Sequence, residues 1–433
     1  YLILTECLLN FITCNTVKLT LFESLKERFM SYSIIEIEVT QPLPTISLEE
    51  SDTGIAFIVR HKNKPIGFLM QALPAKSLLT PLYLAQLLAK EFGTKLLQEN
   101  IRKELVFPAA NLTEFPSLTV AICTKDRPEN LARCLQSLLN LQIVASKLEI
   151  LVIDNAPSDE RTQELVASLP GIRYVREQKP GLDFARNCAL HSATGKLLAF
   201  LDDDVIVDRL WLEGLMEAWA ENPDAAAFTG LVLPYELDTE AQILFEQRGG
   251  FRRGFEKIRY TQVLPGNPLY PCGAGIFGAG CNMAFRREIL LKIGAFDEAL
   301  DTGTPLPGGG DLDIFYRVIR AGYPLVYEPQ YLVFHQHRRE YEKLRRQYWT
   351  WGLGFMAFVV KSYQSDPEQR SQLRRLVWWW IKDQLNQFKD SLSRRHVLPP
   401  TMILAEFWGG VVGLLGEYPR SLRRIEQIRR KFS

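Results

Sequence analysis

The sequence predicts an α/β protein built on a mostly parallel sheet, and three observations predict it. From Leu118 onward, apolar runs of strand length alternate with amphipathic stretches of helical length. Strand, helix, strand at this spacing implies parallel strands with right-handed crossovers. Polar clusters follow the ends of those runs, where open α/β sheets keep their ligand crevice. Three consecutive aspartates, Asp202, Asp203 and Asp204, end the run Leu197-Leu198-Ala199-Phe200-Leu201. A buried strand cannot hold three adjacent carboxylates in its body, because unpaired buried charge is too costly. They mark a place where the strand opens to water or to a cation, as a metal and phosphate site would. An Asp-rich turn or helix N-terminus is the plainer alternative.

Residues 1–115 read as a small, β-rich α+β domain. The runs 34–39 and 54–60 have strand character, 62–68 reads as a hairpin-like turn entering another strand, and 81–105 carries Leu84, Leu87, Leu88 and Phe92 at helical spacing. No chemical constellation appears there. Residues 116–335 carry the alternation. Strand 118–122 leads to a helix opened by Pro128, with Leu131, Leu135, Leu138 and Leu139 on its buried face. Strand 148–153, helix 160–168, strand 172–175, helix 182–193 and the strand ending in the aspartates follow. No G-x-G-x-x-G follows the first strand, so dinucleotide binding is not indicated. Residues 336–433 read as a helical, basic region that includes Trp349, Trp351, Trp378, Trp379, Trp380 and Trp408. Aromatic stripes usually pack inward, so core packing comes before a membrane-facing surface as their reading.

The formal net charge is +1, yet residues 334–433 hold nineteen Lys/Arg against nine Asp/Glu, which leaves the preceding chain net acidic by nine. A basic tail on an acidic body suggests contact with an anionic surface or ligand, although solvated helix faces also give such runs. The seven cysteines (Cys7, Cys14, Cys123, Cys134, Cys188, Cys272 and Cys281) are scattered, with no C-x-x-C spacing. That pattern favours a reducing, cytosolic setting over a disulfide framework or a zinc site. The Asn111 sequon then carries no meaning. No uncharged apolar run reaches the roughly 18 residues that span a bilayer. The opening stretch, broken by Glu6 and Lys18, does not read as a signal peptide. The expectation is a cytoplasmic protein, with attachment at the inner face of the plasma membrane as its extension, and with no nucleic-acid partner.

Five polar clusters fall at strand ends or in loops: Thr124-Lys125-Asp126-Arg127, Asp154-Asn155, Gly181 with Ala185-Arg186-Asn187, the three aspartates, and Gly308-Gly309-Gly310-Asp311-Leu312-Asp313 followed by His335-Gln336-His337-Arg338. Taken in order, these motifs resemble glycosyltransferase family 2 of bacterial type. The segment 120–128 looks like that family's opening strand and turn, 149–155 like its second strand, and 200–204 like its D-x-D motif. Gly280-Cys281-Asn282-Met283-Ala284-Phe285-Arg286, Gly294-Ala295-Phe296-Asp297 and Gly310-Asp311-Leu312-Asp313 complete the pattern. The resemblance covers about residues 118–338 and implies a GT-A, Rossmann-like core. In one departure, Gly310 stands where the family usually has Glu.

The resemblance implies a metal-dependent, inverting transfer of a sugar from a nucleoside-diphosphate donor of UDP, GDP or dTDP type to a glycan or lipid-linked acceptor. A divalent cation, Mn²⁺ or Mg²⁺, held by one or two carboxylates and the phosphates would neutralise the diphosphate leaving group. Asp202 and Asp204 are the expected ligands, and strand alternation would put Asp203 on the other side, toward the ribose. Asp154 would accept from a base N–H, Thr124, Asp126 and Arg127 would frame the nucleoside, and Arg186 would pair with it or its phosphates. Asp311 is the expected general base at the head of a helix 312–321, which it would also cap. Asp313 would support that turn and Asn282 would face the acceptor. His335 would be a third metal ligand, or bind pyrophosphate, or sit in a polar loop. The glycine-rich segment 301–310 would be a mobile loop that excludes water. Two rivals remain: a catalytically silent glycan- or partner-binding scaffold, and a sugar-phosphate nucleotidyltransferase, which would need a glycine-rich phosphate loop that 124–128 lacks.

Overall fold

The computed structural model describes residues 30–104, 115–141, 148–301, 306–393 and 395–432. The opening stretch with Cys7 and Cys14, the Asn111 sequon and residues 302–305 lie outside them.

The first block has a sheet of its own. Strand β1 (Tyr32–Glu38) runs parallel to β3 (Gly54–His61), and β3 turns back antiparallel into β4 (Lys64–Ala72). Lys62 and Asn63 make that turn with φ of 54° and 67°, the left-handed geometry that a tight hairpin requires. The short strands β2 (Ile46–Ser47) and β5 (Leu78–Leu79) pair with each other, and helix α1 (Pro81–Glu104) covers the sheet through Leu84 and Leu88. Arg60 anchors this block to the rest of the chain. Its buried guanidinium lies 2.5 Å from the equally buried Asp208 and 2.9 Å from Glu36. Losing either partner of such a buried pair would strand a charge, at a cost of about 3–5 kcal/mol.

The central sheet begins with β6 (Leu118–Thr124), β7 (Leu148–Asn155), β8 (Ile172–Glu177) and β9 (Leu197–Asp202), all parallel. Helices α2 (Pro128–Leu139), α3 (Arg161–Ala167) and α4 (Leu182–Ser192) make the crossovers. Strand β10 (Val205–Val207), helix α5 (Trp211–Glu221), β11 (Ala227–Pro234), helix α6 (Glu240–Gln247) and β12 (Ile258–Tyr260) follow. Then come β13 (Asn282–Arg286), α7 (Arg287–Lys292), α8 (Gly310–Arg320) and β14 (Leu325–His335). The strand order is β10-β14-β11-β13-β9-β6-β7-β8, with β12 paired to β14. Because β13 is antiparallel to both β9 and β11, and β11 is parallel to β14, six of the nine strands point one way. The expected mostly parallel α/β core is therefore present.

Alternation along each strand feeds two cores. Ala121, Leu151, Leu198 and Phe200 pack on one face with Ala185 and Ala189 of α4 and Phe315 of α8. Val120, Ile122, Val152, Leu197 and Ala199 pack on the other with Leu131 and Leu135 of α2 and Trp211 of α5. A sheet buried on both faces needs the near-continuous apolar strands seen in the sequence. The order also creates a switch point. The chain leaves β6 toward β7 and β8 on one side, then returns to place β9 on the other, which opens a crevice at the carboxyl ends of β6 and β9.

The C-terminal region forms helices α9 (Tyr341–Ser365), α10 (Arg370–Leu392), α11 (Pro400–Val412) and α12 (Tyr418–Lys431). α9 and α11 cross with backbones in contact. A Cβ on Gly352 would sit 1.9 Å from the Glu406 carbonyl, and one on Gly409 would sit 2.0 Å from that of Trp349. The tryptophans divide. Trp380 is buried and stacks on Phe407, as inward packing predicts. Trp378, Trp379 and Trp408 are 73%, 51% and 45% exposed, so the core reading fails for them: adjacent residues on a helix that is buried on one side cannot all face inward. No described helix is long and apolar enough to cross a membrane.

Candidate active site

Strand register builds the crevice. Cys123 of β6 lies opposite Asp202 of β9, so the next residues out, Thr124 and Asp203, meet just beyond the sheet. Thr124 Oγ1 donates to Asp203 Oδ2 at 2.7 Å. Arg127, from the loop after β6, clasps both following carboxylates, with Nη1 2.6 Å from Asp203 Oδ1 and Nη2 2.9 Å from Asp204 Oδ2. Burial pushes the Asp203 carboxyl up to about 7, and the nearby Arg127 charge offsets only part of that. Burial likewise raises Asp202, helped by the neighbouring Asp204 charge. For Asp204 burial is outweighed by the positive charge available from His335, Arg127 and Arg338, so its pKa lies below the usual carboxylate range.

β9 ends at Asp202, and Asp203 and Asp204 lie in the turn before β10. The alternation expected for the three aspartates therefore stops one residue too early. Asp203 and Asp204 share a guanidinium instead of facing opposite ways, and Asp203 is buried against Thr124.

One wall of the crevice is β14. His335 Nε2 lies 3.4 Å from Asp204 Oδ1, and that oxygen receives no hydrogen bond. His335 Nδ1 lies 3.0 Å from His337 Nδ1, and His337 Nε2 lies 2.7 Å from Glu246 Oε1. Burial drives both imidazoles down, His335 to about 4 and His337 to about 3. At the opposite wall Asp154, at the end of β7, is fully buried. Its Oδ2 accepts from the Tyr174 hydroxyl at 2.8 Å, while Oδ1 has no donor. Asp126 (φ 53°) accepts from the Ser158 amide at 2.8 Å and so ties the β6 loop to the β7 loop.

The floor of the site is a second set of charges. Arg186 of α4 is buried between Asp183 at 3.0 Å and Asp301 at 3.1 Å. Burial works against its charge, but Asp183 and Asp301, with Asp202 and Asp311 beyond them, keep it firmly protonated. Burial raises Asp301 to about 6 and lifts Asp183 well above the usual carboxylate range. Asp311 lies in the first turn of α8, where Oδ1 accepts from the Leu312 amide at 2.9 Å and Oδ2 from the Gly280 amide at 3.2 Å.

Residues 119–294 match the family profile for glycosyl transferase family 2. Residues 119–294 therefore form a domain of that family. Among its relatives is a glucosyl-dolichyl phosphate glucuronosyltransferase of Haloferax volcanii, 23% identical over 323 residues, which are 69% of this chain and 96% of that protein. The succinoglycan biosynthesis protein ExoM of Rhizobium meliloti is 31% identical over 219 residues, 49% of this chain and 64% of that one. A mannosyltransferase from Pyrobaculum calidifontis, solved with GDP-Man and Mn²⁺, aligns with a TM-score of 0.46 at 17% identity, over 78% of this chain and 96% of that chain. The family domain makes the chain a glycosyltransferase, and the mostly parallel sheet described above is the core of that domain.

In this glycosyltransferase Thr124, Arg127, Asp202, Asp203, Asp204 and His335 come together in one crevice, and Asp154 and Asp126 border it. Among the described residues no three His, Cys, Asp or Glu side chains converge as a ready-made metal shell. Four expectations need correction. Asn282 does not face an acceptor. It is fully buried, its Oδ1 accepts from Trp211 Nε1 at 3.1 Å, and its Nδ2 donates to the Tyr331 carbonyl at 2.6 Å, which pins β13 to α5 and β14. Arg186 does not reach for phosphates, because two carboxylates already hold it. Nor is the glycine run before Asp311 a free loop: a Cβ on Gly309 would sit 2.7 Å from the Gly354 carbonyl of α9, so these glycines allow backbone contact. The helix begins at Gly310, and Gly309, not Asp311, is its N-cap.

The glycine at 310 has its own reason. A Cβ there would lie 2.2 Å from Asp183 Oδ2 and 2.6 Å from Asp301 Oδ2, so those carboxylates occupy the space that a side chain would need. Asp313 is fully buried and joins α8 to α9 by pairing with Arg317 at 2.7 Å and with Lys361. Sequence reasoning missed Asp301 and Glu246, whose partners Arg186 and His337 are far away in the chain, and Asp183, which pairs with Arg186 one helical turn on. The assignment of Asn282 to the scaffold has a measurable consequence. Asn282→Ala strands a buried indole N–H and a carbonyl, so denaturant unfolding should show a loss of about 1–3 kcal/mol, with KM for the acceptor unchanged in the folded fraction.

Proposed function

We propose that the chain is an inverting, cation-dependent glycosyltransferase that moves a sugar from a nucleoside diphosphate to a glycan or lipid-linked acceptor, with Asp311 as general base. One observation carries the reading: Asp204 Oδ1 is buried at the switch point with no hydrogen bond given to it, and His335 Nε2 lies 3.4 Å away. A buried carboxylate oxygen left without a donor beside an imidazole nitrogen suits a cation between them. Asp204 and His335 would hold Mn²⁺ or Mg²⁺, with Asp202 beside them and the donor phosphates completing the shell, as a small hard cation prefers. When bound, the cation neutralises the charge that develops on the diphosphate leaving group.

The rest of the chemistry falls to the protein. The free Oδ1 of Asp154 suits an N–H of a uracil, guanine or thymine base, and the Thr124, Asp126 and Arg127 loop would line the nucleoside. The acceptor hydroxyl attacks the anomeric carbon as the bond to the diphosphate breaks on the opposite face, and its proton passes to Asp311. The Gly280 and Leu312 amides hold that carboxylate in place, and the Arg186 charge lies beyond it.

The exposed stripe of α10 fits a membrane-borne acceptor. Arg374, Arg375, Trp378, Trp379, Lys382, Leu385, Lys389 and Leu392 are all exposed, and none of the exposed residues of α10 is acidic. Tryptophan and leucine beside cations is the composition of a helix lying on an anionic bilayer surface.

Three outcomes are expected. In thermal-shift assays UDP, GDP or dTDP should stabilise the protein only with Mn²⁺ or Mg²⁺ present, and Asp204→Ala should abolish that stabilisation; equal nucleotide affinity in excess chelator would sink the cation. Asp311→Asn should keep the melting temperature and donor binding while transfer falls by about 100- to 10,000-fold. Asp313→Asn should instead lower the melting temperature. The full chain should co-sediment with anionic vesicles at low salt, and Trp378→Ala with Trp379→Ala should weaken that binding; no co-sedimentation at low salt would leave the stripe as plain solvent-facing surface.

A further inference from the structure

The reading of Asp204 and His335 as cation ligands leaves one question about His335. A neutral imidazole can carry its proton on either nitrogen, and only one choice offers Nε2 as a ligand. We propose that Glu246 and His337 are positioning residues that set this choice by a hydrogen-bond relay, so that the Nε2 lone pair of His335 is already aimed at the cation position before any cation arrives.

The relay starts at α6. Glu246 is fully buried and its Oε2 is paired with Arg252, which also donates to the Glu246 carbonyl at 3.0 Å. That pairing holds Glu246 as a carboxylate and leaves Oε1 for His337. A carboxylate only accepts, so His337 Nε2, at 2.7 Å, must carry a hydrogen. At the far end of the relay Asp204 Oδ1 receives no hydrogen bond, so the His335 proton is not spent on Nε2 and His337 Nδ1 is left as the lone pair. His335 Nδ1, at 3.0 Å from it, must donate, and its proton is thereby fixed on Nδ1. Nε2 of His335 is left bare, facing Asp204 Oδ1.

Packing leaves the rings little room to turn. Phe245 and Phe251 meet His337 edge-on or tilted at 4.7 and 5.9 Å, and Phe251 meets His335 at 5.2 Å. Gly250 protects the Glu246 end, since a Cβ at that position, where φ is +56°, would lie 2.2 Å from Glu246 Oε1. Outer-shell partners of this kind orient a ligating imidazole, and their loss typically weakens metal binding by about 10- to 100-fold.

Glu246→Gln is the decisive variant because it should reverse the relay. Arg252 claims the amide oxygen, so the NH₂ group turns to His337 Nε2, which must then accept. His337 Nδ1 becomes the donor, His335 Nδ1 the acceptor, and the His335 proton moves to Nε2, where it bonds Asp204 and closes the cation position. The chain has only five histidines, so two-bond ¹H–¹⁵N spectra of the ¹⁵N-histidine-labelled full chain can be assigned with His335→Ala. The cation-free wild type should show His335 protonated on Nδ1, and Glu246→Gln should show it on Nε2. Titration with Mn²⁺ alone, followed by electron paramagnetic resonance of the free ion, should give at least a 10-fold loss of affinity in Glu246→Gln. A wild-type His335 protonated on Nε2 overturns the relay whether or not the variant folds. So does full Mn²⁺ affinity in Glu246→Gln when His335→Ala has lost it. If His335→Ala itself binds Mn²⁺ like the wild type, the cation reading fails first and the relay falls with it.

Discussion

The constraint on which this structure turns is crowded negative charge in a place where water cannot dilute it. Asp183, Asp202, Asp203, Asp204, Asp301 and Asp311 gather at the carboxyl ends of β6, β9 and the neighbouring α8 turn, most of them buried. Like charges at such range would empty the site of ionised groups or unfold it. Two arginines make it tolerable, each by spanning a pair: Arg127 for Asp203 and Asp204, Arg186 for Asp183 and Asp301. Their placements differ in consequence. Arg186 is sealed in and is part of the scaffold, whereas the Arg127 side chain is 40% exposed and sits where a donor would enter. One half of the charge is thus neutralised permanently, and the other half is within reach of an incoming ligand.

Much of the fold could be read from the chain because it rests on local period. Strands buried on both faces must be continuously apolar, and crossover helices must be amphipathic, so the segments from Leu118 to Asp202 announced themselves. The hairpin at Lys62-Asn63 and the helix from Pro81 were legible for the same local reasons. The C-terminal tryptophans were not. Trp378, Trp379 and Trp380 are adjacent, so composition treats them alike, and only the identity of the helix face packed on Phe407 separates the buried one from the exposed pair.

The site divides along the same line. Thr124, Asp154, the three aspartates and Asp311 were visible because they sit at strand ends or in a helix's first turn, and motif order supplied the rest. What stayed hidden depends on contacts between distant segments. Glu246 meets His337 across 91 residues of sequence, and Arg186 meets Asp301 across 115. Asn282 was misread because its motif position says nothing about Trp211 and Tyr331, which use both faces of its amide. The division of labour among Asp202, Asp203 and Asp204 failed for a simpler reason: alternation is a property of a strand, and the strand had already ended.

The glycines around α9 make the spacing of this molecule independent of its side chains. On one side of that helix Gly309 lies against Gly354, and on another Gly352 lies against the α11 backbone through Glu406, while Gly409 of α11 returns the contact to Trp349. Peptide groups touch directly at each place, so the distance from the turn that bears Asp311 to the C-terminal helices is set by van der Waals radii of the main chain. Such a ruler has no adjustable length. Exposed residues on α10 and α11 can be exchanged to suit a different surface or a different acceptor without moving the carboxylate, whereas a single methyl group at one of these glycines would displace it. The outer helices are therefore free to diversify in chemistry while the inner dimension stays fixed.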